Sequence, residues 1–288
     1  MVIGFNKKNL EKMNSSISSS ITVVIPTTGR ESLFRAIDSV LNQTLSVNEI
    51  LVVCSGCQID EIKTIDSEKI PIRILHSPRQ GASTARNIGI REATSKYIAL
   101  LDDDDYWLPT KIEEQMRYIK ENLLQDRNVL IATRALLQTR GNLRISANKT
   151  YLAGSVHENI YKLSWKKVPV SLLTPTLLFT KNLALEVPFN EDLELREDID
   201  FLIRLQGKNM EIFQLSAALV VVSVNFRRSW ERETVNHYLS WIKYLAQVSH
   251  KSAFAFGCGV GARTLFLKFT RRTLSAFLYN SRIANLPL

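Results

Sequence analysis

Tyr97-Ile-Ala-Leu-Leu-Asp-Asp-Asp-Asp-Tyr-Trp-Leu-Pro-Thr-Lys111 places four aspartates directly after a short apolar run. An apolar run of this length bounded by a polar turn reads as a buried strand. Four adjacent carboxylates repel one another and add nothing to a fold. A divalent cation, or a run of phosphates carried by one, gives the cluster a purpose. Hard cations take oxygen ligands, and Mg²⁺ is usually held by one or two carboxylates plus substrate phosphates. The plainer alternative is an acidic turn that caps the next helix, since aspartate favours turns and helix starts.

Upstream of this strand the chain alternates between strand and helix patterns. Ile21 to Ile25 is a β-branched strand stopping at Pro26-Thr-Thr-Gly29, and Glu31 to Leu41 has helical spacing with Leu33, Ile37, Val40 and Leu41 on one face. Glu49 to Val53 and Ile70 to Leu75 read as strands, and Pro71 argues that the second of these lies at an edge or enters irregularly. Ile59 to Ile65 and Ala82 to Ala93 read as helices. This order implies right-handed crossovers and a mostly parallel α/β sheet with helices on both faces. Ligands bind such sheets outside the carboxyl ends of the strands. Pro26-Thr-Thr-Gly-Arg30, Cys54-Ser-Gly-Cys57 and Asp102 to Asp105 all fall there.

Downstream, Pro109 suits a first helical position, and a helix is expected over Lys111 to Leu123. Strands follow at Val129 to Leu137, Thr176 to Phe179 and Ala217 to Val224, with a helix at Glu197 to Leu205. Residues 138 to 165 lack a pattern and read as a loop. From His237 two helical stretches follow, broken around Gly257 to Gly261.

The chain has 288 residues, 45% of them hydrophobic, which suffices for one large domain with an appendage. Residues 1–20 form a polar lead expected to be mobile. Residues 21–225 read as the main domain, with a nucleotide-binding half over 21–105 and a second half over 106–225. Residues 226–288 read as a basic helical segment. Of the net charge of +9, most lies in that last segment, where ten basic residues face only Glu231 and Glu233. Such a segment suggests a polyanionic surface; a membrane suits it better than nucleic acid, for which no reading element is evident. Three cysteines make no disulfide framework, and no run of eighteen apolar residues is free of charge. The expected location is cytoplasmic, peripheral at the inner face of the cell membrane.

Gly81-Ala-Ser-Thr-Ala-Arg-Asn-Ile-Gly-Ile90 and the aspartate tract together resemble the family 2 glycosyltransferases. Ile21 to Arg30, Ala36-Ile-Asp-Ser-Val-Leu-Asn-Gln-Thr44 and Glu197-Asp-Ile-Asp200 resemble three further motifs of that family, in its order and spacing. The resemblance implies a GT-A fold and inverting transfer of a sugar from a nucleoside diphosphate sugar, most often a UDP-sugar. The acceptor it implies is a glycan or lipid-linked molecule of bacterial surface polysaccharide synthesis. The resemblance makes 106–225 the acceptor half. It makes Asp102 and Asp104 the Asp-x-Asp pair for Mn²⁺ or Mg²⁺, with Asp102 also near the ribose. Asp103 is counted with the nucleotide-binding residues, although it and Asp105 equally suit orienting the loop or capping the helix at Pro109. Asp198 matches the catalytic base, and Glu197 positions the loop or acceptor. Pro26, Thr27, Thr28 and Arg30 line the nucleoside pocket, and Arg86 faces phosphate or base. Asp200 and Arg204, four apart, read as an intrahelical pair.

One departure concerns the second strand. The family ends it in an acidic pair whose first member contacts the base, whereas this chain has Cys54-Ser-Gly-Cys57. The cysteines read as small residues of a binding loop, Cys54 touching the base edge sterically, with a redox pair as the lesser reading. A zinc site needs two more ligands, and the four histidines show no matching spacing. Two other functions remain open on sequence: a non-catalytic relative that binds a glycan, and a sugar nucleotidyltransferase, for which Pro26 to Arg30 is a poor phosphate loop.

Overall fold

Seven successive buried residues, Ile-Thr-Val-Val-Ile-Pro-Thr, form strand β1 (Ile21–Thr27). The strand runs two residues beyond the expected stop, because proline keeps an extended φ and at a strand end removes only one ladder donor. In the computed structural model the described residues are 21–57, 67–139, 142–146, 151, 154–160, 172–208, 210–224 and 234–258. The polar lead, the helix expected at Ile59 to Ile65 and the end of the basic segment lie outside them.

Helix α1 (Ser32–Leu41) buries Leu33, Ile37 and Val40 of the face its spacing predicts, with Ala36 buried between them and Leu41 only partly buried. Strand β2 (Glu49–Ser55) is buried throughout. Strand β3 (Ile72–Ser77) is only partly buried and closes one edge of the sheet, as Pro71 implies. Helix α2 (Ala82–Glu92) lies against β1 so closely that a Cβ on Gly89 would come within 2.3 Å of Val24 Cγ1. Strand β4 (Tyr97–Leu100) is parallel to β1, which is parallel to β2, which is parallel to β3.

The second half adds strand β5 (Tyr106–Trp107), helix α3 (Lys111–Glu121), strand β6 (Val129–Thr139), strand β7 (Asn142–Ile145) and helix α4 (Val156–Ile160). A 3₁₀ turn (Thr174–Thr176), strand β8 (Leu178–Thr180), helix α5 (Lys181–Glu186), helix α6 (Glu197–Gly207) and strand β9 (Glu211–Ser223) follow. The sheet runs β3-β2-β1-β4-β8-β6-β9-β5, with β7 beside β6. Strand β8 is antiparallel to both β4 and β6, β6 is parallel to β9, and β5 is antiparallel to β9. The parallel half matches the sequence expectation, and the antiparallel strands make the whole sheet mixed.

Four elements escaped the sequence pattern, one of them the five-residue helix α4, which lies in the stretch 138 to 165 read as a loop. Strand β5 has two residues, too few for a period, and all four residues of β7 are exposed, so no apolar alternation marks it. Helix α5 spans only six residues. Helix α3 starts after Thr110, so Pro109 precedes the helix; its carbonyl accepts the Thr44 N–H at 2.9 Å. Lys111, fully buried, donates to Gln115 Oε1 at 2.8 Å and lies 3.9 Å from the Trp107 ring centre. Burial drives its pKa well below the usual lysine value, and Gln115 in turn donates to the carbonyls of Ile131 and Thr176. This network fastens the chain after the aspartates to the sheet.

The chain divides into two compact units, Met1–Val156 with Val170–Asn225, and His157–Pro169 with Phe226–Leu288. In the second, helices α7 (Val235–Val248) and α8 (His250–Phe256) are capped by Thr234 and Ser249. The break between them at Ser249 is one the sequence pattern did not mark; α8 ends at Phe256, directly before Gly257, and residues 259–261 lie outside the described residues. The rings of Tyr238 and Phe256 stack 6.1 Å apart, and His157 Nδ1 lies 2.8 Å from Ser252 Oγ. No described helix is long and apolar enough to cross a membrane.

Candidate active site

Parallel pairing of β1 with β4 sets the loop after Thr27 beside the loop after Leu100, and the Leu101 N–H continues the ladder to Val24 O at 3.1 Å. From there the four aspartates alternate. Asp103 and Asp105 are buried, while Asp102 and Asp104 are partly exposed.

Asp103 turns inward and is saturated by the β1 loop. Its Oδ2 accepts from Thr27 Oγ1 at 2.7 Å and from the Thr28 N–H at 3.3 Å, and its Oδ1 accepts from Arg30 at 3.0 Å. These bonds tie Asp103 to the β1 loop, in line with the loop-orienting alternative, and leave a buried carboxylate little to offer a ligand. Asp105 Oδ1 accepts the Ser223 N–H at 2.8 Å. Burial, then the charge of Asp102, pushes its carboxyl up to about 8. Neither residue caps a helix at Pro109. Arg30 also donates to Asp104 Oδ2 at 2.8 Å, so it spans two aspartates. Pro26 and Thr27 are buried and Thr28 is exposed beside them.

Arg86 sits on α2 with its side chain only 4% exposed. It donates to Asp102 Oδ1 at 2.7 Å and to Glu197 Oε1 at 3.0 Å, and its guanidinium lies 5.4 Å from the Phe189 ring centre. Burial alone would lower its pKa; the charges of Asp102 and Glu197 outweigh burial and raise it. The sequence reading aimed Arg86 at phosphate or base. The structure makes it an internal bridge between the aspartate tract and the acidic start of α6.

A latch joins α2 to the segment before α6, pairing Thr84 and Asn87 of the Gly81–Ile90 motif with partners no motif announces. Asn87 donates to the carbonyl of Phe189 and to Glu191 Oε1, both at 2.9 Å, and accepts the Phe189 N–H at 2.8 Å. Thr84 adds a bond to Glu191 Oε2 at 2.9 Å, and the Phe189 ring stacks on Phe201 at 3.9 Å. Just before α6 the backbone of Arg196 takes a left-handed conformation, φ 64°.

Of the three acids in the first turn of α6, each faces a different neighbour. Glu197 is held by Arg86. Asp200 is buried and paired with Arg204 at 2.6 Å, the intrahelical pair expected from their spacing. Asp198 is partly buried and one oxygen accepts the N–H of Ile199 at 2.8 Å. Burial, then the charge of Glu197, pushes the Asp198 carboxyl up to about 7, against the pull of the Ile199 N–H and Arg86. A carboxyl at that value is poised to take a proton near neutrality.

Cys54 has no exposed surface, so it cannot touch a base edge as the sequence reading had it. It is joined to Cys57 as a disulfide, with Cα atoms 5.6 Å apart, rather than standing as an unpaired small residue.

Among the described residues no three His, Cys, Asp or Glu side chains gather as a metal site. Asp102 and Asp104 nevertheless form a pair of hard oxygen donors on the exposed side of the tract. The Asp104 pKa is raised first by burial and then by the charge of Asp102, a crowding that a cation would relieve. Two carboxylates with substrate phosphates completing the shell suit Mg²⁺ or Mn²⁺.

Residues 22–134 match the model of the family described as Glycosyl transferase family 2. An uncharacterized glycosyltransferase of Rickettsia felis is 31% identical over 196 residues, covering 66% of this chain and 31% of that protein. A protein of Escherichia coli named UDP-Glc:alpha-D-GlcNAc-diphosphoundecaprenol beta-1,3-glucosyltransferase WfaP is 34% identical over 95 residues, 32% of this chain and 37% of its own. Among solved structures, S. aureus TarS 1–349 in complex with UDP-GlcNAc matches with a TM-score of 0.62 at 16% identity, over 80% of this chain and 67% of that one. At that identity the likeness speaks for the fold, which is of the GT-A type. The chain spans about a third of the length of three of the Rickettsia proteins it matches and 57% of a fourth.

Proposed function

We propose that the chain, whose residues 22–134 match the family 2 glycosyltransferases, transfers a sugar from a nucleoside diphosphate sugar, a UDP-sugar foremost, to a hydroxyl of a glycan or lipid-linked acceptor. The setting we propose is bacterial surface polysaccharide synthesis, consistent with the lipid diphosphate in the name of the E. coli relative.

The observation that carries this reading is the Arg86 bridge. It joins Asp102, at the end of β4, to Glu197, whose neighbour Asp198 has a carboxyl near 7. An anion-handling pair and a base thereby share one crevice. Asp198 takes the proton of the acceptor hydroxyl as that oxygen attacks the anomeric carbon. The new bond forms on the face opposite the departing diphosphate, so the configuration inverts. Asp102 and Asp104 would hold Mn²⁺ or Mg²⁺, which when bound neutralises charge developing on the diphosphate. Thr28 and Arg30 line the nucleoside side of the crevice, with Pro26 and Thr27 beneath them.

Titration with UDP in the presence and absence of Mn²⁺ tests the aspartate pair. Alanine at Asp104 should abolish most of the gain in affinity that Mn²⁺ gives the native protein. The same gain in the variant would remove Asp104 from the metal's shell. A nucleotide-sugar panel followed for hydrolysis and thermal shift tests the enzyme reading itself, and silence toward every donor would favour a non-catalytic binding protein.

The basic segment over 226–288 is proposed to rest on an anionic membrane surface. Leu239, Val248 and Phe254 are exposed there at 49%, 38% and 66%, beside Lys243 and Lys251. Apolar side chains flanked by cations suit an anionic interface. Sedimentation with vesicles should show binding to anionic but not to neutral lipid; equal binding to both, or to neither, would contradict the proposal.

A further inference from the structure

We infer that Gln80 is the side chain that recognises the nucleobase of the donor, a role that rests on the donor reading above. The strand that borders the nucleoside side of the crevice, β2, ends without a usable polar group. Cys54 is fully buried, and Gly56, at φ 79°, has no side chain. The Ser55 hydroxyl is already engaged, accepting the Gly81 N–H at 2.9 Å and donating to the Arg79 carbonyl at 3.4 Å.

Those same bonds fasten the neighbouring loop in place. Ser77 Oγ adds a third, donating to the Arg79 carbonyl at 2.6 Å. The backbone is thus tied on both sides of Gln80, at Arg79 and at Gly81, while the Gln80 side chain remains exposed. That side chain lies over the bare backbone of Gly56. A Cβ built on Gly56 would come within 3.0 Å of Gln80 Nε2 and 3.2 Å of its Cγ. The other polar side chain of the loop points elsewhere, since Arg79 pairs with Glu191 at 3.6 Å. Gln80 therefore brings a carboxamide, with no hydrogen-bond partner among the described residues, to the end of β2.

The chemistry fits a base. A carboxylate at this place would only accept, whereas a carboxamide presents a donor beside an acceptor. The N–H and C=O groups on a base edge can close a two-bond pair with it, Oε1 accepting the base N–H and Nε2 donating to the base carbonyl. Gly56 matters because any side chain there would displace the carboxamide.

The test is isothermal titration of the full chain, with Mn²⁺, against UDP, dTDP, GDP, ADP, CDP and inorganic pyrophosphate. For the nucleotide bound tightest, Gln80→Ala should weaken binding about threefold or more, since one hydrogen bond contributes about three- to tenfold. Pyrophosphate affinity should stay unchanged, because it carries no base. Gln80→Glu should also weaken binding, since it cannot donate. Gln80 is exposed and outside the core, and a melting curve on each variant checks the fold. Unchanged nucleotide affinity in Gln80→Ala overturns this inference and leaves the proposed function standing. Equal loss for nucleotide and pyrophosphate also overturns it, by showing a general loop effect. A native protein that binds no nucleoside diphosphate would bring down the donor reading and this inference together.

Discussion

Asparagine in place of Asp198 should lower the rate of sugar transfer by about 10²- to 10⁴-fold, the usual contribution of a positioned general base. The side chain keeps its size and its acceptor for the Ile199 N–H, but loses the capacity to take a proton. Affinity for the nucleoside diphosphate should hold within about twofold, so the loss falls on kcat rather than on donor KM. The native pH profile supplies a second check. Burial and Glu197 hold the Asp198 carboxyl near 7, so below that pH it is protonated and cannot accept. The rate should rise as pH climbs through about 7 and then level off. A profile flat from pH 5 to 8, or full activity in the asparagine variant, would assign the base elsewhere.

Methionine in place of Arg86 should destabilise the first unit by about 3 kcal/mol, the lower end of the 3–5 kcal/mol range for removing one partner of a buried ion pair. The lower end applies because the orphaned carboxylates keep some water, with Asp102 exposed at 29% and Glu197 at 19%. For a unit of this size that is a fall in melting temperature of roughly 6–12 °C. Lysine separates charge from geometry. It restores a cation but, as a point charge without a planar fork, is poorly suited to hold Asp102 and Glu197 together. Lysine should therefore recover part of the stability and little of the activity. Because Arg86 pulls the Asp198 pKa down, its loss should also move the rise in any residual rate to higher pH. Wild-type melting and an unshifted profile in both variants would show that the bridge carries no weight.

Much of this protein was readable locally. The apolar stretches of β1, β2 and β4 and the stripe of α1 are buried where their periods predict, because burial on one face repeats along the chain itself. The unequal burial of the aspartates was not readable in this way: Asp102 to Asp105 form a tight turn, with the Asp105 N–H donating to the Asp102 carbonyl at 3.1 Å, and the packing around that turn decides which carboxylates are buried. Short or fully exposed elements such as β5 and β7 left no periodic trace.

What sequence could not determine is which donor each carboxylate meets. Asp103 takes Thr27 from 76 residues away, Arg86 reaches Glu197 across 111, and Asp105 takes the Ser223 N–H across 118. The same holds for Cys54, whose position at a strand end suggested contact with a base while the packing of β2 seals it in the core. Strand, helix and acidic motif are properties of neighbours in the chain, and the sequence alone determined them. The Arg86 bridge, the burial of Asp103 and the raised carboxyl of Asp198 depend on where the crossovers deliver distant segments and how much water they leave there. Only the tertiary structure decides that.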